Sequence, residues 1–271
     1  MRMEDSKNYF SGLKYYLKVW WMMSKNSFLI YFSQKKVFLL FLVGKLFRFV
    51  FFFLFIYFLI KGANGLAGYN TNQTLFFFLT FVFIDTVAQF LFREVYRFRS
   101  YLVSGDFDLM LVKPVNVLFR VLLGGADVID LTTLPIFLFA LVWIGRLLDP
   151  SIYEVILYLF MVVNGLLISA AFHIAVLAFG IITLEVDHIV MVYRDLTSLA
   201  RFPIDIYKEP LRGVLIYLIP VGVMITFPAK VFIGVLSFGW LTFAFALGFI
   251  LMLLSLKFWN FALKKYTSAS S

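Results

Sequence analysis

Residues 37–60 hold only two charges, Lys45 and Arg48, in 24 consecutive positions, and lysines 35, 36 and 61 bracket the run. About 20 largely apolar residues carry an α-helix across about 30 Å of hydrocarbon, so this run reads as a membrane span. Comparable runs follow at 75–92, 117–144, 152–183 and 237–259. The composition agrees, with 63% hydrophobic and 14% charged residues and a mean hydropathy of +0.95. Soluble domains hold about 45–50% apolar and about 25% charged residues, so one soluble core could not hide this much apolar surface. In lipid every backbone polar group must be paired internally, which points to an all-α polytopic membrane protein. With 36 Phe and 16 Gly the chain is neither disordered nor collagen-like, and with no Cys it offers no disulfide, iron–sulfur cluster or thiol nucleophile.

The region between 185 and 236 is harder to divide. Residues 185–212 place apolar positions at helical spacing but are studded with charge, and 213–236 are apolar but interrupted by Pro220 and Pro228. Proline removes a backbone donor and breaks a helix, so the second stretch reads as a broken or re-entrant segment. Six spans result, with the fifth at about 189–207; the competing division makes 213–236 the fifth. Basic residues orient the bundle. Arg2, Lys7, Lys14, Lys18, Lys25, Lys35 and Lys36 precede the first span, Arg93, Arg97, Arg99, Lys113 and Arg120 lie between the second and third, and Lys257, Lys264 and Lys265 close the chain. The opposite loops hold only Lys61, and Arg146 beside Asp149 and Glu154. Both termini and the 93–116 loop are therefore expected in the cytoplasm, and the net charge of +9 reports topology rather than a nucleic-acid partner.

Before the first span, residues 9–34 interleave Lys14, Lys18 and Lys25 with Tyr15, Tyr16, Trp20 and Trp21. Rings among headgroups and lysines reaching anionic lipid suit an amphipathic helix lying at the membrane interface. The N-terminus does not read as a cleavable signal, because residues 1–36 lack a continuous apolar stretch and a small-residue cleavage site.

No GxxxxGK[ST], HExxH or GxSxG motif occurs, so the sequence gives no ground for hydrolysis of ATP, peptides or esters by this chain. Glu185, Asp187 and His188 have metal-ligand types but lack a second histidine nearby, and an interfacial histidine is the commoner outcome. Charges within spans are costly in lipid and normally face the bundle interior or a wet cavity. Asp85 falls near the middle of the second span, Asp127 and Asp130 share a face of the third just past Gly124 and Gly125, and Lys45 and Arg48 lie three apart in the first. They read either as a polar lining or subunit contact, or as internal ion pairs with the long cations snorkelling to the surface. Between the second and third spans, Ser104-Gly105-Asp106 reads as a turn, followed by a short amphipathic run, 107–112, that Lys113-Pro114 closes.

The stretch FREVYRFRSYLVSGDFDLMLVKPVNVLF at 92–119 resembles the signature of a bacterial ABC-2-type permease family, and RFPIDIYKEPLRGVLIYLIPVGVMITFPAKVFIG at 201–234 resembles that family's second hallmark. The resemblance covers nearly the whole chain. It implies a six-helix membrane subunit of an ATP-binding-cassette exporter, forming a homodimer or heterodimer and working with two copies of a separate ATPase that carries the ATP and Mg; none is expected on this chain. It also implies that Gly105, Asp106, Phe107, Asp108, Leu109, Leu111, Lys113 and Pro114 form the ATPase-coupling segment. Residues 9–34 would be the connecting helix, and Pro203, Pro210, Arg212, Pro220 and Pro228 would mark an external re-entrant segment. Arg194 and Arg201, seven apart on one face of the fifth span, would then lie at a dimer contact. A lipid-modifying enzyme, a scaffold and an ATPase-independent channel remain as other readings.

Overall fold

The computed structural model describes residues 4–63 and 65–267, with backbone alone for residues 4–11 and 63. Arg2 of the N-terminal basic set, Asn64 of the first polar loop and residues 268–271 of the tail lie outside them. Among the described residues there is no strand. Helices α1 (Glu4–Ser33) and α2 (Lys35–Ala63) are separated by a turn at Gln34. Helix α3 (Thr71–Phe92) continues through a 3-10 turn, Arg93–Arg97, into α4 (Phe98–Ser104). Then come α5 (Asp106–Leu111), α6 (Val117–Leu123), α7 (Val128–Arg146), α8 (Ile152–Thr183) and α9 (Val186–Ser198). The chain ends with the short α10 (Leu211–Gly213) and α11 (Phe227–Phe232) and the long α12 (Phe238–Lys265).

Local chemistry fixes the starts of α3 and α8. At α3 the Asn70 side chain accepts the Gln73 N–H at 2.9 Å while the Gln73 side chain accepts the Asn70 N–H at 3.0 Å. Ser151 and Glu154 form the same reciprocal box at α8. Each box satisfies two of the amide donors that a helix N-terminus leaves open.

Three sequence expectations change, at 93–104, 117–144 and 189–207. Residues 93–104 are not a loop: the second span runs on as one rod, Thr71–Ser104. Arg93, Arg97 and Arg99 interrupt the hydropathy but not the helix, because Asp127, Glu94 and Asp187 pair with them. The third span, expected over 117–144, is broken between α6 and α7. Asp127 is therefore not on a helix face with Asp130; it is the N-cap of α7, its carboxylate accepting the Ile129 N–H at 2.8 Å and the Asp130 N–H at 3.3 Å.

Helices α8 and α12 are parallel neighbours. The Asn164 amide donates to the Ala244 carbonyl at 3.0 Å, and further along both helices Phe179 and Phe258 meet edge to face. The chain between them must return from one end of the bundle to the other. Helix α9 begins against Gly180 and Phe98, and past its end Asp205 bonds Tyr69 of the first interhelical loop, so residues 186–205 make the return. The helical part stops at Arg201, 16 residues from Val186, which at 1.5 Å per residue is about 24 Å. This is shorter than the 189–207 span expected. Among the described residues five helices are long and apolar enough to cross a membrane, and α9 is not one of them.

Leu211–Leu218 and Gly222–Phe232 form a pair bent by 78°. Arg212 near its start and Lys230 near its finish bond the same Asp205 carboxylate, so the pair leaves and rejoins one end of the bundle, as a re-entrant segment does. Between those points it dips between α3 and α8, where the Met224 carbonyl lies against Gly165. A Cβ at residue 165 would overlap that carbonyl, so only glycine permits the approach. Phe232 stacks on Phe76, with ring centroids 4.1 Å apart, in the apolar core at this end. A second core at the opposite end gathers Phe98, Phe107 and Trp259.

Candidate functional site

About half-way along the bundle, α2, α3, α7 and α9 enclose a cavity of about 140 Å³. Sequence-predicted charges meet there: Lys45 and Arg48 from α2, Asp85 from α3, and Arg194 and Arg201 from α9 and its 3-10 extension. Phenylalanines 49, 52, 78, 81 and 137 complete the lining, with Gln89, Thr197 and Ser198. Arg201 lies over the Phe52 and Phe81 rings at 5.2 and 5.7 Å, where the negative ring faces attract a cation.

The acids are engaged. Lys45 pairs with Asp130, which is 4% exposed. Asp127 pairs with the Arg93 Nε at 3.1 Å while capping α7. Asp85 accepts a hydrogen bond from the Gln89 amide at 2.6 Å and faces Arg194, Lys45 and Arg48. Among the described residues no carboxylate lies within 4.0 Å of the Arg48, Arg194 or Arg201 guanidinium. Arg48 and Arg194 are exposed on the single chain.

At the end of the bundle that holds Phe98, Gly105 turns the chain with φ 78°, a left-handed conformation that suits glycine, and α5 follows. Asp106 accepts a hydrogen bond from the Ser104 hydroxyl at 2.7 Å; the N-cap of α5 is Gly105, so no aspartate caps it. Phe107 is fully buried, edge-on to Phe98 and Tyr266. Burial, with the Asp108 carboxylate beside it, pushes the Tyr266 phenol above its ordinary value. Outward, Leu109 is 60% exposed, Leu111 41% and Val112 81%. The segment is thus anchored on one side and apolar on the other. Lys113 and Pro114 are exposed at its end, where the Pro114 carbonyl accepts from the Tyr15 hydroxyl at 3.4 Å.

Two further groups carried no sequence signal that singled them out. Glu94, 3% exposed, takes hydrogen bonds from Arg97, Arg120 and Tyr101 and so ties the end of the second rod to α6. Beside it the Gly124-Gly125 break admits α1: the Ser27 hydroxyl lies against Gly125, and the Ser24 hydroxyl accepts the Ala126 N–H at 3.4 Å. At the opposite end Asp205 accepts from Tyr69 at 3.0 Å, Arg212 at 3.0 Å and Lys230 at 2.8 Å. Burial and that carboxylate push the Tyr69 phenol well above its usual range, so it stays a donor. Pro203 precedes the 3-10 turn that carries Asp205, Pro210 precedes α10, Pro220 separates the arms of the bent pair, and Pro228 opens α11.

Glu185 and His188 pair with each other at 3.0 Å and Asp187 lies 3.8 Å from Arg99. Among the described residues no group of three or more His, Cys, Asp or Glu side chains could hold a metal.

A helical bundle with several helices long and apolar enough to cross a membrane, a charged cavity between them and an anchored amphipathic segment at one end is a polytopic membrane protein. The family described as ABC-2 family transporter protein matches residues 46–270, and the chain belongs to it. It is the membrane permease component of an ABC transporter and a multi-pass membrane protein. No curated protein and no solved structure matches the chain.

Proposed function

We propose that this chain is the permease of an ABC exporter in a bacterial cytoplasmic membrane. It pairs with a second permease, the same or different, and is driven by two copies of a separate ATPase that bind ATP and Mg. Residues 37–271 form the permease domain and residues 1–36 a cytoplasmic N-terminus with an interfacial helix. The basic residues near α1, the end of the second rod and the end of α12 support placing that side in the cytoplasm. There α5 meets the ATPase, while the segment at about 203–236 faces outward.

The observation that carries this reading is the two-sided segment 105–114, with Phe107 locked inward and Leu109, Leu111 and Val112 facing out. An exposed apolar face on a short, anchored helix is what a soluble partner can grip and push. Closing of the ATPases would bring two such segments together and turn the cavity from one side of the membrane to the other. Coupling requires the ATPase states to differ in affinity for the two permease states. Asp106 and Asp108 keep the segment's orientation through Ser104 and Tyr266.

The test is co-purification from gently solubilised membranes. Leu109→Glu with Leu111→Glu, both outside the buried anchor, is expected to abolish ATPase association while the permease still unfolds at the wild-type temperature. Retained association with normal nucleotide turnover would show that the segment is not the contact.

A further inference from the structure

The cavity between α2, α3, α7 and α9 has an imbalance that permease function alone does not require. Lys45 is neutralised by Asp130, which leaves the three guanidiniums of Arg48, Arg194 and Arg201 against the one carboxylate of Asp85. That carboxylate is already held by Gln89. Unpaired cations half-way through a membrane protein are expensive and are retained where something else meets them. Of the intramembrane acids Asp85, Asp127 and Asp130, which on the sequence alone suit a cationic cargo and internal pairing equally well, two are spent on Lys45 and Arg93.

Resting on the permease reading, we infer that the cavity receives the anionic group of an amphiphile, a carboxylate, sulfate or phosphate attached to an apolar or aromatic body. A planar guanidinium offers paired N–H donors matched to such oxyanions, and three of them border one space. The phenylalanine walls give the inner part of the cavity low polarity, which strengthens the contact with a bound charge. Arg201, lying across Phe52 and Phe81, is fixed by those rings rather than by an acid, so its N–H groups stay free for a ligand. A volume of about 140 Å³ takes a charged group with one ring or a short chain; an engineered apolar cavity of about 150 Å³ holds benzene. The remainder of the molecule leaves on the side of Arg48 and Arg194, where the cavity is open on the single chain.

The complete transporter, permease pair with its ATPase, is purified into lipid nanodiscs and titrated with three fluorescent probes. They share a pyrenyl-alkyl body and end in a carboxylate, an uncharged amide or a trimethylammonium group. The carboxylate probe is expected to bind about tenfold or more tighter than the amide, and the ammonium weakest, since a charge-assisted hydrogen bond contributes about 1.5–3 kcal/mol and about 1.4 kcal/mol is tenfold. Arg194→Gln and Arg201→Gln are each expected to remove most of that preference, with Arg146→Gln as an unaffected control. Arg48→Gln, on another exposed cavity arginine, serves if either of those variants fails to fold. Equal binding of the three probes, tighter binding of the ammonium, or no binding at all overturns the inference. So does dissociation of the permease pair by Arg48→Gln or Arg194→Gln, which would show the arginines to be a subunit contact. ATPase retention is scored in the same preparations: its loss from the wild type sinks the permease reading, while probe selectivity tests the ligand class separately.

Discussion

Replacing Asp205 by Asn is expected to free the re-entrant segment from the end of the bundle. The carboxylate joins Tyr69, Arg212 and Lys230, so it ties the first interhelical loop to both arms of the bent pair. Asparagine keeps an acceptor for the Tyr69 hydroxyl but removes the charge. The Arg212 side chain is 42% exposed and can turn to water, so its share is small, about 0–1 kcal/mol. The Lys230 side chain is 13% exposed and loses a charge-assisted bond worth about 1.5–3 kcal/mol. Together about 1.5–4 kcal/mol is withdrawn from the closed arrangement, which multiplies the population with the segment lifted by about 10- to 700-fold at about 1.4 kcal/mol per tenfold. The chain contains no cysteine, so one introduced thiol reports cleanly. Val223 is fully buried in the segment, and cysteine there differs little in size. Maleimide labelling of Val223→Cys in detergent micelles, slow enough that reclosing outpaces reaction, follows the open population. The Asp205→Asn background should label about 10- to 700-fold faster, and Lys208→Ala, on an exposed neighbour, should leave the rate unchanged. An increase below about threefold would mean that the Asp205 network does not hold the segment down, since that is less than about 0.7 kcal/mol.

Lys45→Met leaves the Asp130 carboxylate, whose side chain is 5% exposed, without its cation, and is expected to destabilise the protein by about 3–5 kcal/mol. Lys45→Met with Asp130→Leu should recover most of that loss in thermal unfolding of the detergent-solubilised chain; a double variant no better than the single one refutes the pairing argument. Gly105→Ala meets no atom within 4 Å of the added Cβ, so its cost is the left-handed backbone alone, about 1 kcal/mol, and Gly105→Asn should cost less. Both are read by thermal unfolding, and a larger loss for Asn than for Ala would exclude backbone strain as the cause.

The long helices were legible because hydrocarbon makes one demand: the run at 37–60 lies within α2, 152–183 matches α8, and 237–259 covers most of α12, which begins one residue later and runs on to Lys265. Their breaks were less visible, since hydropathy averages over the capping chemistry that decides them. Residues 117–144 read as a single apolar stretch, yet Gly124-Gly125 followed by Asp127 is itself a start signal: flexible backbone, then a side chain able to accept the amides of the next turn. The reverse error at 93–104 came from treating arginines as loop residues. They remain helical because Glu94, Asp127 and Asp187 reach them from their own turn and from other elements, which a linear reading cannot supply. The cavity was legible as a set of costly charges and illegible as a set of pairs. Lys45 and Arg48 sit one turn apart, and only the rotation of α2 against α7 gives Asp130 to the first and leaves the second without an acid.

That rotation also separates two faces of the molecule. The exposed side chains of α7 include Leu138, Phe139, Val142 and Trp143, and those of α12 include Phe249, Ile250, Leu253 and Leu254, all of which lipid tails can cover without cost. On the side where α2 and α9 border the cavity, Arg48 and Arg194 are exposed beside Phe47, Phe51 and Met191. A guanidinium turned to hydrocarbon costs at least about 2.5–3.5 kcal/mol even on the most permissive scale, and two on one face make lipid an untenable neighbour there. Snorkelling offers little relief, because both arginines border a cavity about half-way along the bundle. The face that holds them must therefore meet water, a charged ligand or a second permease. Those are the surroundings of a translocation pathway, and they differ from those of a helix whose only work is to anchor the chain.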